Sequence, residues 1–270
     1  MMRNNYHTHT YRCGHAVGED EDYVIEAIAL GMQTLGFSDH VMLEGFSQPN
    51  VRGDFYLSEN YFSSIRNLKE KHKERINILL GYEAEAFPEY FSYYKKLLEE
   101  NIIDYLILGN HCQLKDGKVE YFFSKATTKE DVIRYKDTLI EGMKTGLFIY
   151  VAHPDYFMGG YSNFDRTCKI CAHEICKVAA ELDIPLEFNF AAIRTGKYKI
   201  GEKERFLYPH EEFWKIAKKY KCKMILGLDA HAPSELSHER NDIGYKMAKD
   251  YGLEIIDKLD FTNYKKNIKI

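Results

Sequence analysis

Short apolar runs alternate with longer helical stretches along most of this chain, and that alternation narrows the fold more than any other feature. Strand-like runs fall at residues 5–8, 34–38, 76–82, 105–109, 148–152, 186–189 and 224–228. Helical stretches at 22–32, 59–75, 90–100, 129–144, 167–182 and 210–220 separate most of them. Parallel strands need a crossover between them, and a helix is the usual one. Seven such runs predict an α/β fold, a β/α barrel with one unit fewer than the usual eight. An open doubly wound sheet is the alternative. With 270 residues, a single domain is the economical reading. Its main body reaches about residue 260, and the tail FTNYKKNIKI has no strong pattern and reads as peripheral.

Bulk properties exclude several function classes. The formal net charge of -4 argues against a general nucleic-acid binder, which would usually be basic. It leaves room for a small anion, because a bound metal reverses the local field. No run approaches the apolar length of a membrane span. The start, MMRNNYHTHT, lacks the apolar core of a signal peptide, so a cytoplasmic enzyme is the expectation. Six cysteines suit reduced thiols in that compartment. Cys168, Cys171 and Cys176 lie on one amphipathic stretch without a second CxxC, and read as small buried hydrophobes. Neither GxGxxG nor GxxxxGK[ST] occurs.

The chemistry gathers at the strand ends. The first run leads into His7-Thr8-His9, and residues two apart on a strand share a face, so both imidazoles can reach one metal. Ser38-Asp39-His40 follows the second run, and Gly81-Tyr82-Glu83-Ala84-Glu85 the third. Gly109-Asn110-His111, Ala152-His153-Pro154-Asp155 and Gly227-Leu228-Asp229-Ala230-His231 close later runs. His15 lies in the first loop. In a parallel barrel the C-terminal strand ends face one rim, which holds the site. A stray histidine is usually structural, but one at nearly every strand end would repeat that coincidence many times. His72, His173, His210 and His238 lack this context and read as structural or surface groups, His72 on a solvated helix face.

The ordered set resembles the PHP (polymerase and histidinol phosphatase) superfamily, from near the start to residue 231. The resemblance implies a distorted barrel of seven β/α units and a trinuclear metal site. Carried over by position, His7, His9, Glu83 and Asp229 would hold one metal. Glu83, His111 and His153 would hold a second, with Glu83 bridging. His15, His40 and His231 would hold a third. The three ions would be zinc, iron or manganese. The length, and the absence of a polymerase body, resemble the stand-alone histidinol-phosphate phosphatases. So does the stretch from Glu187 to Gly196, which would bring Arg194 to the substrate phosphate.

The activity implied is hydrolysis of the monoester L-histidinol phosphate in histidine biosynthesis, by a hydroxide bridging the first two metals. Asp229 would take the attacking water's proton and relay it, with His231 the other candidate for proton handling. A small-molecule phosphate ester is the expected partner, without nucleic acid or membrane; no pattern specifies an oligomeric state. Glu44, Asp54, Asp116, Asp155 and Tyr161 lie in loops that could receive the histidinol moiety, each otherwise a solvated loop residue. Three readings compete. A phosphodiesterase or nuclease of the same superfamily predicts a basic groove. A non-catalytic metal-binding module predicts loss of the bridging carboxylate. An amidohydrolase predicts a lysine where Glu83 stands.

Overall fold

The computed structural model describes residues 2–122 and 127–268. Eight parallel strands form one curled sheet: β1 (Asn4–Asn5), β2 (Thr34–His40), β3 (Asn77–Ala84), β4 (Tyr105–Leu108), β7 (Tyr150–Val151), β8 (Leu186–Asn189), β11 (Lys223–Gly227) and β12 (Glu254–Ile256), neighbours in that order. Two antiparallel hairpins interrupt the series, β5 (Cys112–Lys115) with β6 (Lys118–Tyr121) and β9 (Tyr198–Ile200) with β10 (Lys203–Arg205).

The first seven strands of that order close into a ring at their C-terminal ends. A parallel bridge joins Thr8 to Ala230, with His9 N–H donating to Ala230 O at 2.9 Å and Ala230 N–H to His7 O at 3.3 Å. At the other end of the barrel β12 pairs with β11, and Asn4 Nδ2 donates to Asp257 O at 3.0 Å. The fold is thus a distorted barrel of seven strands, splayed where an eighth enters. That eighth strand is three residues long and half exposed, so it carries no apolar run to read.

The α-helices among the described residues are α1 (Asp20–Ala29), α2 (Ser58–His72), α3 (Phe91–Glu99), α4 (Lys129–Lys144), α5 (Arg166–Glu181), α6 (Ala191–Thr195), α7 (Glu211–Lys219), α8 (Asn241–Tyr251) and α9 (Phe261–Asn267). The starts of α4 and α5 follow ordinary capping chemistry. Thr128 and Asp131 form a reciprocal box at α4, and the Asp165 carboxylate accepts from Thr167 N and Cys168 N at α5. On α5 the stripe Cys168, Cys171, Ala172, Ile175, Cys176 and Ala179 is buried at helical spacing, the apolar role expected of the three cysteines.

The tail is not peripheral. Asp260 caps α9, and the buried Tyr264 donates from its hydroxyl to Leu147 O at 2.6 Å while accepting from Leu106 N at 3.2 Å. Tyr264 and Ile268 join the main apolar cluster. Among the described residues no helix is long and apolar enough to cross a membrane.

Candidate metal centre

Parallel register delivers the polar strand ends to one rim. His40, the last residue of β2, pairs in register with Glu83 of β3. Beyond β4, β7 and β11 the backbone turns left-handed at Asn110 (φ 47°), His153 (φ 27°) and Asp229 (φ 48°). Such angles are uncommon outside glycine and persist only where the surroundings enforce them. Two glycines make room for buried carboxylates. A Cβ at Gly109 would lie 2.7 Å from Glu83 Oε1, and one at Gly227 only 1.8 Å from Glu187 Oε1. Any larger residue would push the acid aside.

Four atoms converge at the centre. His7 Nε2 and His9 Nε2 are 3.1 Å apart. His7 Nε2 lies 3.5 Å from both Glu83 Oε2 and Asp229 Oδ1, and His9 Nε2 lies 3.5 Å and 3.1 Å from the same two atoms. A tetrahedron of bonds to zinc of about 2.0–2.1 Å has edges of about 3.3–3.4 Å, so these separations match one cation's ligand shell. The other oxygen of Glu83 faces a second group, with His153 Nε2 at 3.0 Å and His111 Nε2 at 3.4 Å.

The remaining imidazoles stand beside these two groups. His40 Nδ1 is 3.1 Å from Glu83 Oε2. Candidate ligand atoms of His9, His40 and His231 lie within 4.8 Å of one another, as do those of Cys13, His15 and His231. His15 and His40 therefore both adjoin His231, their rings 5.6 Å apart, with His15 exposed at the mouth. The cysteine in this last group was not foreseen.

Charge is distributed as a cation site would need. Burial opposes charging His7 and His9, yet nearby carboxylates outweigh it. Glu187, Asp229 and Glu83 hold His7 well above the usual imidazole range, and Asp229 and Asp39 lift His9 to about 9. Burial likewise opposes ionising Glu83 and Asp229, but surrounding histidines keep both well below the carboxylate range. Burial, reinforced by the His9 charge, drives His40 and His231 well below the imidazole range. The buried atoms His9 Nδ1, His40 Nδ1, His153 Nδ1, Asp229 Oδ1 and His231 Nε2 have no hydrogen-bond partner. Buried polar atoms without partners are costly. A cluster of them around two carboxylates fits divalent cations of the zinc, iron or manganese kind.

A second layer steadies the first, and most of it escaped sequence reading. Glu85 Oε1 lies 2.9 Å from His111 Nδ1 and 3.0 Å from Arg52 Nη2. Arg52 also donates to Gln48 Oε1 and Val41 O, tying the loop after β2 to the site. Asp39 accepts from Thr10 Oγ1 and from His40 N. Glu85 stands in the strand-end motif Gly81-Tyr82-Glu83-Ala84-Glu85 but was given no role there; Arg52 carried no local signal.

The nine histidine and acid side chains expected at the site do come together, but Arg194 does not reach the cavity. It is buried, donating from Nη1 to Leu228 O at 2.5 Å and from Nη2 to Asp229 O at 2.8 Å, with Glu235 Oε2 at 3.2 Å. These acceptors engage both terminal nitrogens, while Nε is buried without a partner.

Two further expectations change. Asp155 is buried and accepts from His210 N, so it is no solvated rim residue. His72 is buried too, its Nε2 2.8 Å from Glu21 Oε1. Glu44, Asp54 and Asp116 are exposed. The cavity over the centre has a volume of about 340 Å³ and adds Asn50, Val51, Tyr121, Tyr156 and Tyr208 to the polar floor.

Known proteins share this architecture. The PHP domain family matches residues 5–191. A Deinococcus radiodurans protein named Probable histidinol-phosphatase is 27% identical over 250 residues, 91% of this chain and 92% of that one. The Histidinol-phosphatase of Lactococcus lactis subsp. lactis is 23% identical over 283 residues, 100% of each chain. A crystal structure of histidinol phosphate phosphatase from the same bacterium, complexed with zinc, L-histidinol and phosphate, superposes with a TM-score of 0.69. It is 18% identical and covers 96% of this chain and 98% of that one.

Proposed function

Because this chain belongs to the PHP domain family, we propose that it is a metal-dependent phosphomonoesterase that hydrolyses L-histidinol phosphate to L-histidinol and phosphate. Histidine biosynthesis is its setting and the cytoplasm its compartment, with residues 1–270 acting as one domain. The relatives that match nearly the whole chain carry this activity in their names. A protein of the same fold holds zinc together with both products.

One observation carries the reading: the Glu83 carboxylate presents Oε2 to His7 and His9, and Oε1 to His153 and His111. A single acid between two nitrogen groups is what a bridged pair of cations requires. In our assignment His7, His9, Glu83 and Asp229 hold one ion. Glu83, His111 and His153 hold a second, and His15, His40 and His231 a third. Metal ions bound there supply a water acidic enough to attack at neutral pH and positive charge against the phosphoryl oxygens.

The chain's own groups do the rest. Asp229 turns the unpartnered Oδ1 inward, where it can accept the attacking water's proton. Asp229 would then relay that proton toward the leaving alkoxide, while His231, its Nδ1 3.2 Å from Asp229 O, would turn the unpartnered Nε2 to the third ion. The cavity is of a size typical for small-molecule sites, roughly 300–1,000 Å³. Tyr121, Tyr156 and Tyr208 give it an aromatic wall, which suits an imidazole and an ammonium group. Arg194 holds the Leu228–Asp229 backbone rather than the phosphate.

Phosphate release by metal-quantified protein tests the proposal. The panel is histidinol phosphate, other small phosphomonoesters and oligonucleotides. A kcat/KM for histidinol phosphate orders of magnitude above the others is expected. Equal rates across the panel would remove the substrate assignment, and full turnover in strong chelator would remove the metals.

A further inference from the structure

Glu187 is fully buried at the third-from-last position of β8, and its two oxygens face donors only. Oε1 lies 2.8 Å from His7 Nδ1 and accepts from the Tyr150 hydroxyl at 3.4 Å. Oε2 accepts from the backbone N–H of His153 at 3.2 Å and from Asn189 Nδ2 at 2.8 Å. The same Asn189 amide donates to Asp229 Oδ2 at 3.1 Å. One carboxylate thus touches His7 through its ring, His153 through its strained backbone, and Asp229 through one intervening amide.

We propose that Glu187 is a positioning residue that locks the first two metal sites into a common geometry, acting through His7, His153 and Asn189. The inference rests on the reading of His7, His153 and Asp229 as ligands. An acceptor at Nδ1 fixes the His7 tautomer with its proton there, leaving the Nε2 lone pair to face His9, Glu83 and Asp229. A ligating histidine commonly depends on such an outer partner, whose loss lowers metal affinity by about ten- to a hundredfold. The amide of Asn189, anchored on Glu187, occupies Asp229 Oδ2 and leaves Oδ1 as the inward oxygen. The His153 N–H on Oε2 holds a backbone with φ 27°, which directs that ring at Glu83.

The chemistry of four donors explains why this must be a carboxylate. Glutamine at 187 would have one acceptor and one NH2. With its NH2 toward His7, the imidazole would be driven into the opposite tautomer, with its proton on Nε2. With its NH2 toward His153 N and Asn189 Nδ2, donors would face donors. The Gly227 contact, where a Cβ would sit 1.8 Å from Oε1, shows how tightly the acid is seated.

The test uses the full-length protein with Glu187→Gln, zinc titrated against a chromophoric chelator, and long-range 1H–15N spectra of histidine-labelled protein. Wild type is expected to show a His7 ring protonated at Nδ1 and zinc-bound through Nε2. The variant should lose that pattern and bind its tightest zinc about ten- to a hundredfold more weakly. Far-ultraviolet circular dichroism reports whether it folds. If it does not fold, the wild-type spectrum still decides: a His7 ring protonated at Nε2 overturns the proposal. Unchanged zinc affinity and an unchanged His7 spectrum in folded Glu187→Gln overturn it while sparing the metal reading. A wild type that binds no zinc overturns both.

Discussion

Gly109 lies against the Glu83 carboxylate so closely that a Cβ there would fall 2.7 Å from Oε1 and 2.8 Å from Cδ. Glu83 is also flanked by His153, His111, His40, His7 and His9, so any shift of its carboxylate changes its distance to five imidazoles. Gly109→Ala is therefore expected to displace the acid that we propose bridges two cations. Overpacking alone costs about 1–3 kcal/mol. Activity should fall much further than stability, by roughly a hundredfold or more, with less than the wild-type metal content. Thermal melts, metal analysis and kcat on the same preparation check this; wild-type turnover with full metal would remove Glu83 from its bridging role.

Arg194 separates two roles cleanly. Its donors hold the carbonyls of Leu228 and Asp229, the backbone that presents Asp229 and His231. Arg194→Ala leaves the Leu228 carbonyl unpaired, which costs about 1–3 kcal/mol, and leaves Asp229 O with the His231 ring alone. The expected outcome is a lowered Tm and a lowered kcat, with inhibition by inorganic phosphate little changed. A large rise in the phosphate inhibition constant at unchanged stability would mean that the guanidinium grips the substrate after all.

How far the sequence discloses this molecule depends on which physical signal each part leaves. Strands buried on both faces, such as 105–108, are unbroken apolar runs, and His7, His40, His111, His153 and Asp229 stand at or just beyond strand ends, so the barrel and the gathering of these side chains at one rim were both legible. The eighth strand Glu254–Ile256 has two charged or exposed faces and no such run. Helix α8 carries Gly244 in its middle, packed against Phe190, which weakens its helical pattern. Arg194 was expected at the substrate phosphate, but its direction depends on carbonyls 34 and 35 residues away. Glu187 was visible as a letter in the segment 187–196, while its purpose rests on contacts 180 and 34 residues distant.

Metal removal should show itself in protons as well as rate. In the metal-free protein His7 is held well above the imidazole range and His9 at about 9, but their Nε2 atoms are 3.1 Å apart, so one proton lies between them rather than one on each. A cation can bind both Nε2 atoms only by expelling that proton. Zinc binding at pH 7.5 should therefore release about one proton at the first site. Affinity should rise with pH until about 9. Calorimetry in buffers of different ionisation enthalpy measures the release; none would mean that these rings are not ligands.

His210 gives the fold its own acid sensitivity, away from the metals. The ring stacks on Phe164 with centroids 5.0 Å apart, and its Nδ1 is buried without a partner. Burial pushes its pKa down to about 4; the cations of Arg205 and Lys203 push the same way, and Glu211 and Glu212 oppose them. Unfolded, the imidazole titrates near 6.5. Between these values the unfolded chain binds a proton that the folded chain refuses. Protonation therefore favours unfolding, and stability is lost as pH falls from about 6.5 to about 4, by at most about 3 kcal/mol. His210→Phe keeps the stack and removes the titrating group. Its stability relative to wild type, from urea unfolding, should improve by about 1–3 kcal/mol between pH 7 and pH 4.5. A difference that does not vary with pH would show that this ring does not resist protonation in the folded chain.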